Sequence, residues 1–375
     1  MRLATGAAEF SALRAECAAL AATPEPRLSL SCPVWIFGAG QFGQDLCKAL
    51  LAKDFNVLGF IETQPRIEQL LNLPVLGWQQ LSDTDRLAQL AIGIYNRGMP
   101  LDSLASLAQE AGFRDVTMPW DSYGQFDVQL GWRYWLGRRD QLLGHLDGIE
   151  ATHAQLSDAT SQACLRDIVR FRLGLNHAFG GFRHEELQYF NQLTLAADTQ
   201  KPIQFVDGGA YNGDTLLALA DLRPIERAYL FEPDAENFKA LQRNLRNQAI
   251  AVHCLPVALS DCYQILSFNA GVGEAGTISE NGTVHIASMA LDDFLHNQAI
   301  DFIKLDVEGG EIAALNGAAR LISRSRPVLA ISLYHRPQDL WEIPELLRKL
   351  CDDYRFYLRQ HYFNSFDSVL YAVPQ

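Results

Sequence analysis

The chain has 375 residues, is 48% hydrophobic, and sets 31 basic against 44 acidic residues for a formal net charge of -13. That length suits two α/β domains with connecting helices. So acidic a surface repels phosphate backbones and argues against a nucleic-acid partner; the densest basic group, Arg133, Arg138 and Arg139, reads as a solvated helix face or an interface.

Residues 7–22 predict a short amphipathic helix, closed by Pro24 and Pro26. Glu9, Arg14 and Glu16 interrupt the apolar run a signal peptide would need. Val34–Phe37 reads as a strand, Gly38–Gly43 as a turn, residues 41–53 as a helix, and Asn56–Ile61 as a second strand ending at Glu62. Further strands are expected near Leu87–Tyr95 and Arg114–Met118, separated by a helix after Pro100, with this small domain ending near Asp121. Residues 122–200 lack strand alternation and read as a helical connector, including Gln162–Leu175 and Glu185–Leu195, that supplies a wall or lid to the second domain.

From residue 201 strands and helices alternate. The expected strands are Ile203–Asp207, Arg227–Phe231, Ala251–Pro256, Asp301–Asp306, Val328–Leu333, Tyr354–Leu358 and Ser368–Val373, the last two as a reversed hairpin. Such alternation implies a mainly parallel, doubly wound sheet. Gln264–Ala287 is inserted before the fourth strand, with Asn281-Gly282 suited to a hairpin turn. The expected organisation is a helix over 1–30, a small Rossmann-like domain over 31–121, the connector over 122–200, and a cofactor-binding domain over 201–375. Seven cysteines at 17, 32, 47, 164, 254, 262 and 351 form no CxxC pair, which argues for a reducing compartment and against a disulfide framework or zinc site. With no stretch near the roughly 20 apolar residues of a membrane span, the expectation is a soluble, cytoplasmic protein; a homo-oligomer stays open.

The segment Asp207-Gly208-Gly209-Ala210-Tyr211-Asn212-Gly213 follows an apolar strand and opens a helix, where small residues admit a ligand to the backbone. The next strand ends at Glu232-Pro233, and a carboxylate there can accept from both hydroxyls of a ribose. NAD folds use the same arrangement. S-adenosylmethionine is favoured because the spacing departs from GxGxxG, because the Asp207 carboxylate suits a methionine ammonium and repels a pyrophosphate, and because the chain ends in a reversed hairpin.

FVDGGAYNGDT, LFEPDAENFKAL, VALSD and DFIKLDVEGGEIAALNGA together resemble the FkbM family of methyltransferases over residues 203–373. Leu333-Tyr334-His335 and Tyr357-Leu358-Arg359 are similar to positions in members with an N-terminal extension. The resemblance implies a Rossmann-like class I methyltransferase sheet and O-methylation of a sugar, glycan or polyketide-like small molecule. It also implies cofactor contacts at Asp207, Gly209, Gly213 and Glu232, with Ala258, Leu259, Ser260 and Asp261 flanking the adenine. Gly310 departs from the family pattern by doubling the glycine in EGGE.

Lys304, Asp306 and Glu308 alternate and share one face if the fourth strand runs that far. Asp306 and Glu308 are the candidate bases for a hydroxyl proton, Asp306 also lying near the cofactor, and Lys304 would position a carboxylate or the acceptor oxygen. Glu311 reads as a first-turn acid stabilised by its helix. His335 should face the same edge, with Arg359 and His361 as further acceptor contacts. No metal is assigned, because Asp306 and His335 stand alone as ligands, and EDTA is expected to have little effect. At the N-terminus, Gly38-Ala39-Gly40-Gln41-Phe42-Gly43 with Glu62 matches a dinucleotide fingerprint. Yet about 90 residues are too few for the usual six-stranded NAD fold, and no YxxxK occurs. A structural or docking module, a nucleotide or nucleotide-sugar site, and an NAD site all stay open, so an NAD(P)-type oxidoreductase or epimerase and a non-catalytic cofactor-binding protein are the alternatives.

Overall fold

Short apolar runs between turns form the strands, and longer runs with helical spacing form the helices that cover them. The computed structural model describes residues 2–178, 187–195, 200–269, 276–278, 282 and 284–375. The chain divides into two units, Met1–Glu150 with Ala163–Arg183 and Tyr362–Phe366, and Ala151–Gln162 with His184–His361 and Asp367–Gln375.

The first unit opens with α1 (Arg2–Ala21), which starts earlier than its apolar pattern suggests. β1 (Val34–Phe37), α2 (Gln41–Leu51), β2 (Val57–Glu62), β3 (Gln69–Leu70), β4 (Leu73–Gly77), β5 (Gln89–Ile92), α3 (Leu101–Glu110) and β6 (Val116–Thr117) follow. They form one six-stranded sheet in the order β3-β4-β2-β1-β5-β6. A stretch of about 90 residues thus does hold six strands, because β3 and β6 are only two residues long. The β3–β4 hairpin escapes sequence reading because its turn residues, Leu71 and Asn72, take positive φ (53° and 62°) without the glycine that normally signals such a turn.

α4 (Pro119–Leu130), α5 (Arg139–Gly144), α6 (Leu146–Gln155) and α7 (Ala159–Arg172) follow. The basic group is committed to acids: Arg133 donates to Asp45 at 2.8 Å, Arg138 to Asp140 at 2.7 Å, and Arg139 lies 3.8 Å from Asp121. The helix expected over Glu185–Leu195 does not form across its described part, residues 187–195. There Thr194 Oγ1 donates to the Tyr189 carbonyl (2.9 Å) and Asn191 Oδ1 accepts from Leu193 N (2.9 Å), local bonds that compete with a helical ladder.

The second unit contains β7 (Ile203–Gly208), α8 (Asp214–Ala220), β8 (Ile225–Phe231), α9 (Ala235–Leu245), β9 (Ala251–Leu255), β10 (Ala258–Leu259), β11 (Gln264–Asn269), β12 (Thr277–Ile278), β13 (Val284–Met289), α10 (Leu291–Phe294), β14 (Phe302–Leu305), α11 (Glu311–Asn316), α12 (Ala319–Ser325), β15 (Val328–Ser332), α13 (Asp339–Leu350), β16 (Tyr354–Gln360) and β17 (Ser368–Pro374). Seven strands run in the order β16-β17-β15-β14-β7-β8-β9, parallel except that β17 is antiparallel to both its neighbours. This is the doubly wound sheet with a reversed last hairpin that the sequence predicts. Phe205, Phe302 and Phe190 interlock edge-on in its core. The insertion forms a small sheet, β10-β13-β11-β12, and Asn281 of the expected turn lies outside the described residues. Residues 156–161 border β16: Ser157 N donates to the Phe356 carbonyl (2.8 Å), Ser161 Oγ accepts from Leu358 N (2.9 Å), and Asp158 takes Arg359 at 2.8 Å.

Candidate active site

From β7 the sheet extends through β8 and β9 on one side and through β14 and β15 on the other. Strand order therefore reverses between β7 and β14, and a crevice opens at their carboxyl ends. The turn Asp207–Gly213 enters it. Gly209 sits at φ +75°, and a Cβ there would stand 1.9 Å from the Asp306 carbonyl oxygen. Only glycine lets this loop lie against the chain leaving β14. The amides of Gly209 and Ala210 both donate to the Phe231 carbonyl at 3.0 Å, while Tyr211 and Gly213 take positive φ.

Glu232, just past β8, is 5% exposed. Its Oε2 accepts from Tyr211 N, and its Oε1 from Asp234 N, each at 2.9 Å. Burial pushes its carboxyl up to about 7 against these N–H donors. Pro233 and Asn212 are half-buried beside it, whereas Ala258, Leu259 and Ser260 are buried. Leu259 closes on the loop: its Cδ1 would lie 2.8 Å from a Cβ on Gly208. Asp261 is exposed.

Asp207 and Lys304 lie beneath the loop as a buried pair, Nζ to Oδ1 3.0 Å. Lys304 also donates to the carbonyls of Gly209 (2.7 Å) and Gly208 (3.3 Å), so it anchors the loop rather than reaching an acceptor. Burial pushes the Asp207 carboxyl up to about 6 although Lys304 opposes the shift. Asp207 Oδ2 has no hydrogen-bond partner among the described residues.

β14 stops at Leu305, so the alternation of 304, 306 and 308 does not continue as a strand face. Asp306 instead begins a turn, its amide donating to the Gly208 carbonyl at 3.1 Å, and Glu308 stands at φ +53°. Such a conformation costs a β-carbon-bearing residue free energy and marks functional loops. His335, fully buried after β15, brings the turn together. Its Nε2 lies 3.1 Å from Asp306 Oδ1 and 3.7 Å from Glu308 Oε1, and its Nδ1 lies 2.8 Å from Glu311 Oε1. Burial opposes charge on the imidazole, but Glu311, Glu308 and Asp306 hold its pKa well above the ordinary histidine value. Burial alone would raise the Asp306 carboxyl; His335, Lys304 and the Tyr189 hydroxyl (2.8 Å) instead hold it well below the usual carboxylate range, and the Tyr334 hydroxyl also donates to it (3.2 Å).

Glu311 is not a simple helix-end acid. Its Oε1 folds back to accept from Val307 N (2.8 Å) and meets the His335 ring. One donor atom each of Asp306, Glu311 and His335 lies within 4.8 Å of the others, a compact set where the sequence offers only two ligands. Sequence reading also overlooks Tyr189, Tyr334 and Asp339, whose buried carboxyl is pushed up to about 7 beside Glu311. Tyr334 carries a signal, adjacency to His335; Tyr189 comes from a turn before β7 with no pattern to betray it. Arg359 and His361 are engaged elsewhere, the first with Asp158 and Ser161, the second with the Tyr371 hydroxyl at 2.6 Å.

In the first unit the matching loop is tightly closed. Glu62 Oε1 accepts from Ala39 N at 2.6 Å. A Cβ on Gly43 would stand 2.0 Å from the Gly38 carbonyl oxygen, and one on Gly38 2.3 Å from Ile94 Cγ1. Beside Gly40, by contrast, nothing lies within 4 Å.

Residues 207–364 match the family model described as the methyltransferase FkbM domain. The crystal structure of methyltransferase FkbM from Methylobacillus flagellatus KT superposes with a TM-score of 0.79 at 22% identity, covering 99% of this chain and 100% of that one. The second unit thus has the Rossmann-like fold of class I methyltransferases. Two weaker likenesses are too distant to bear on this chain: a putative rRNA-methylase from Clostridium thermocellum (10% identity, 47% of this chain and 88% of that chain) and Aeropyrum pernix fibrillarin with bound S-adenosyl-L-methionine (13% identity, 48% and 71%), each with a TM-score of 0.31. Comparison with curated proteins gives no match. No helix among the described residues is long and apolar enough to cross a membrane.

Proposed function

We propose that the second unit transfers a methyl group from S-adenosylmethionine to a hydroxyl oxygen of a sugar, glycan or polyketide-like acceptor. The observation that carries this reading is the buried Glu232 carboxylate, seated on loop amides inside a methyltransferase FkbM domain. The donor set fits such a cofactor: Glu232 for the ribose hydroxyls, Leu259 and its neighbours for the adenine, and the unpartnered Asp207 Oδ2 toward the methionine end. When bound, the cofactor supplies an electrophilic methyl on a sulfonium sulfur, which departs as a thioether with the electron pair of the broken bond.

The acceptor hydroxyl must lose its proton as its oxygen takes the methyl. Asp306, held well below the usual carboxylate range by several donors, is a weak base, and the carboxylates around the fully buried His335 ring favour its protonated form. Glu308, on a strained turn with its side chain 14% exposed, is the carboxylate that receives it. Asp306, Tyr189 and Tyr334 hold the turn in place. Seven unpaired cysteines support a reducing, cytoplasmic setting.

For the first unit the reading is a structural module, because Glu62 and the glycines are already spent on the loop itself. A nucleotide or nucleotide-sugar site is the second reading, favoured by the open space beside Gly40. The test is a transfer assay with labelled S-adenosylmethionine over free sugars, nucleotide sugars and glycans, paired with calorimetry of S-adenosylmethionine and NADH. Label should enter one acceptor class, and NADH should not bind. NADH oxidation against any carbonyl compound would overturn the reading.

A further inference from the structure

The residues that match the family model begin at Asp207, but one side chain of the candidate site comes from before them. Tyr189 is half-buried, and its neighbours in the chain are held on both sides. Phe190, 4% exposed, is sunk against Phe205 and Phe302, with ring centroids 6.0 and 5.4 Å away. The Gln188 carbonyl accepts from the Tyr371 hydroxyl, and Thr194 Oγ1 donates to the Tyr189 carbonyl at 2.9 Å. A residue pinned in this way presents its side chain with little freedom. The two ends of that side chain meet the two halves of the site. Its ring lies over Lys304, with Nζ 5.3 Å from the centroid, within cation–π range. That ammonium ties Asp207 to the carbonyls of Gly208 and Gly209 in the cofactor loop. Its hydroxyl accepts from Gln188 Nε2 at 3.0 Å and donates to Asp306 Oδ2 at 2.8 Å. Tyr334 and His335 meet Asp306 at Oδ1, so neither replaces this bond.

We propose that Tyr189 is a positioning residue that joins the cofactor loop to the turn after β14. Its ring keeps water from the Lys304 ammonium beneath the loop, and its hydroxyl fixes the Asp306 carboxylate that starts the turn. A phenol donating to a carboxylate is a charge-assisted bond with a set direction, so losing it frees the turn. The role rests on the methyl-transfer reading, because the turn that Tyr189 steadies carries Glu308. Ring and hydroxyl act on different halves of the site, and substitution separates them: Phe keeps the ring alone, and Leu keeps neither.

The test pairs single-turnover methyl transfer with calorimetry of S-adenosylmethionine on the full-length chain. Tyr189→Phe should slow transfer about tenfold and leave cofactor affinity within about twofold of wild type. Tyr189→Leu should slow transfer at least as much and also weaken cofactor binding by about threefold or more. A role in packing alone would lower the melting temperature of both variants and leave rates and affinities of the folded protein unchanged. Wild-type rates in Tyr189→Phe, or equal cofactor affinity in Tyr189→Phe and a folded Tyr189→Leu, would overturn the proposal. Should Tyr189→Leu not fold, the rate of Tyr189→Phe decides; should no acceptor be found for a chain that binds the cofactor, the affinity split decides. A wild-type chain that does not bind S-adenosylmethionine would sink the methyl-transfer reading, whereas a working wild type matched by both variants would overturn this proposal alone.

Discussion

The two units build the same loop twice and finish it differently. In each, a strand runs into a glycine turn that opens a helix, and an acid at the end of the next strand accepts a loop N–H: Ala39 to Glu62 at 2.6 Å, Tyr211 to Glu232 at 2.9 Å. The strand on the other side separates them. β5 leads to Gly93 and Ile94, which pack on Gly38, whereas β14 leads to Asp306, Glu308 and the His335 cluster. A glycine loop with a matching acid therefore reports a fold; the neighbouring strand's end decides whether ionisable chemistry stands beside it.

The largest test of that contrast is Glu308→Gln, expected to slow single-turnover methyl transfer by about 10²–10⁴-fold with cofactor affinity unchanged. Wild-type rates would move the active site away from the turn after β14. Next, Gly209→Ala should cost about 3 kcal/mol or more, since its Cβ meets a backbone oxygen at a positive φ. Gly40→Ala should cost about 1 kcal/mol or less; equal melting temperatures for the two variants would erase the distinction. Smaller again, Glu232→Gln should weaken S-adenosylmethionine binding roughly tenfold, while Glu62→Gln leaves it alone, as calorimetry would read.

The smallest effect is in pH. Ribose hydroxyls donate to an ionised carboxylate, and burial pushes Glu232 up to about 7, so affinity should fall as pH drops below 7, by up to about tenfold per unit. Stability moves the other way. The folded state binds this proton more readily than the unfolded chain, so the Glu232 contribution is lost as pH rises from the ordinary carboxylate range through about 7. A flat binding profile, or one unchanged in Glu232→Gln, would remove Glu232 from the ribose.

Much of this was legible in the chain itself. Seven strands of the second unit, the loop and Glu232 follow from apolar runs, small residues and an acid at a strand end, which are local signals. The Leu71-Asn72 turn was not, because its backbone demands glycine-like angles from residues that do not advertise them. Nor was the full cluster: Tyr189 reaches Asp306 from far along the chain, where no spacing rule extends, and Glu311, read as a helix-end acid, folds back to the His335 ring. The alternation of Lys304, Asp306 and Glu308 even misled, since the strand stops one residue before Asp306 and sends Lys304 inward instead.

The short segment 156–161 that runs along β16 has a consequence beyond packing. β16 ends the seven-stranded sheet, and an uncovered strand of seven residues offers a row of amides and carbonyls to any matching chain. Ser157 and Ser161 occupy part of that row. A chain begun near residue 201 would keep every strand of the sheet and lose this guard. We expect it to self-associate through β16 in light scattering, and a Pro at Phe356, whose N–H and C=O face the outer edge, to reduce that association, whereas a monodisperse truncation would show that the edge needs no cover.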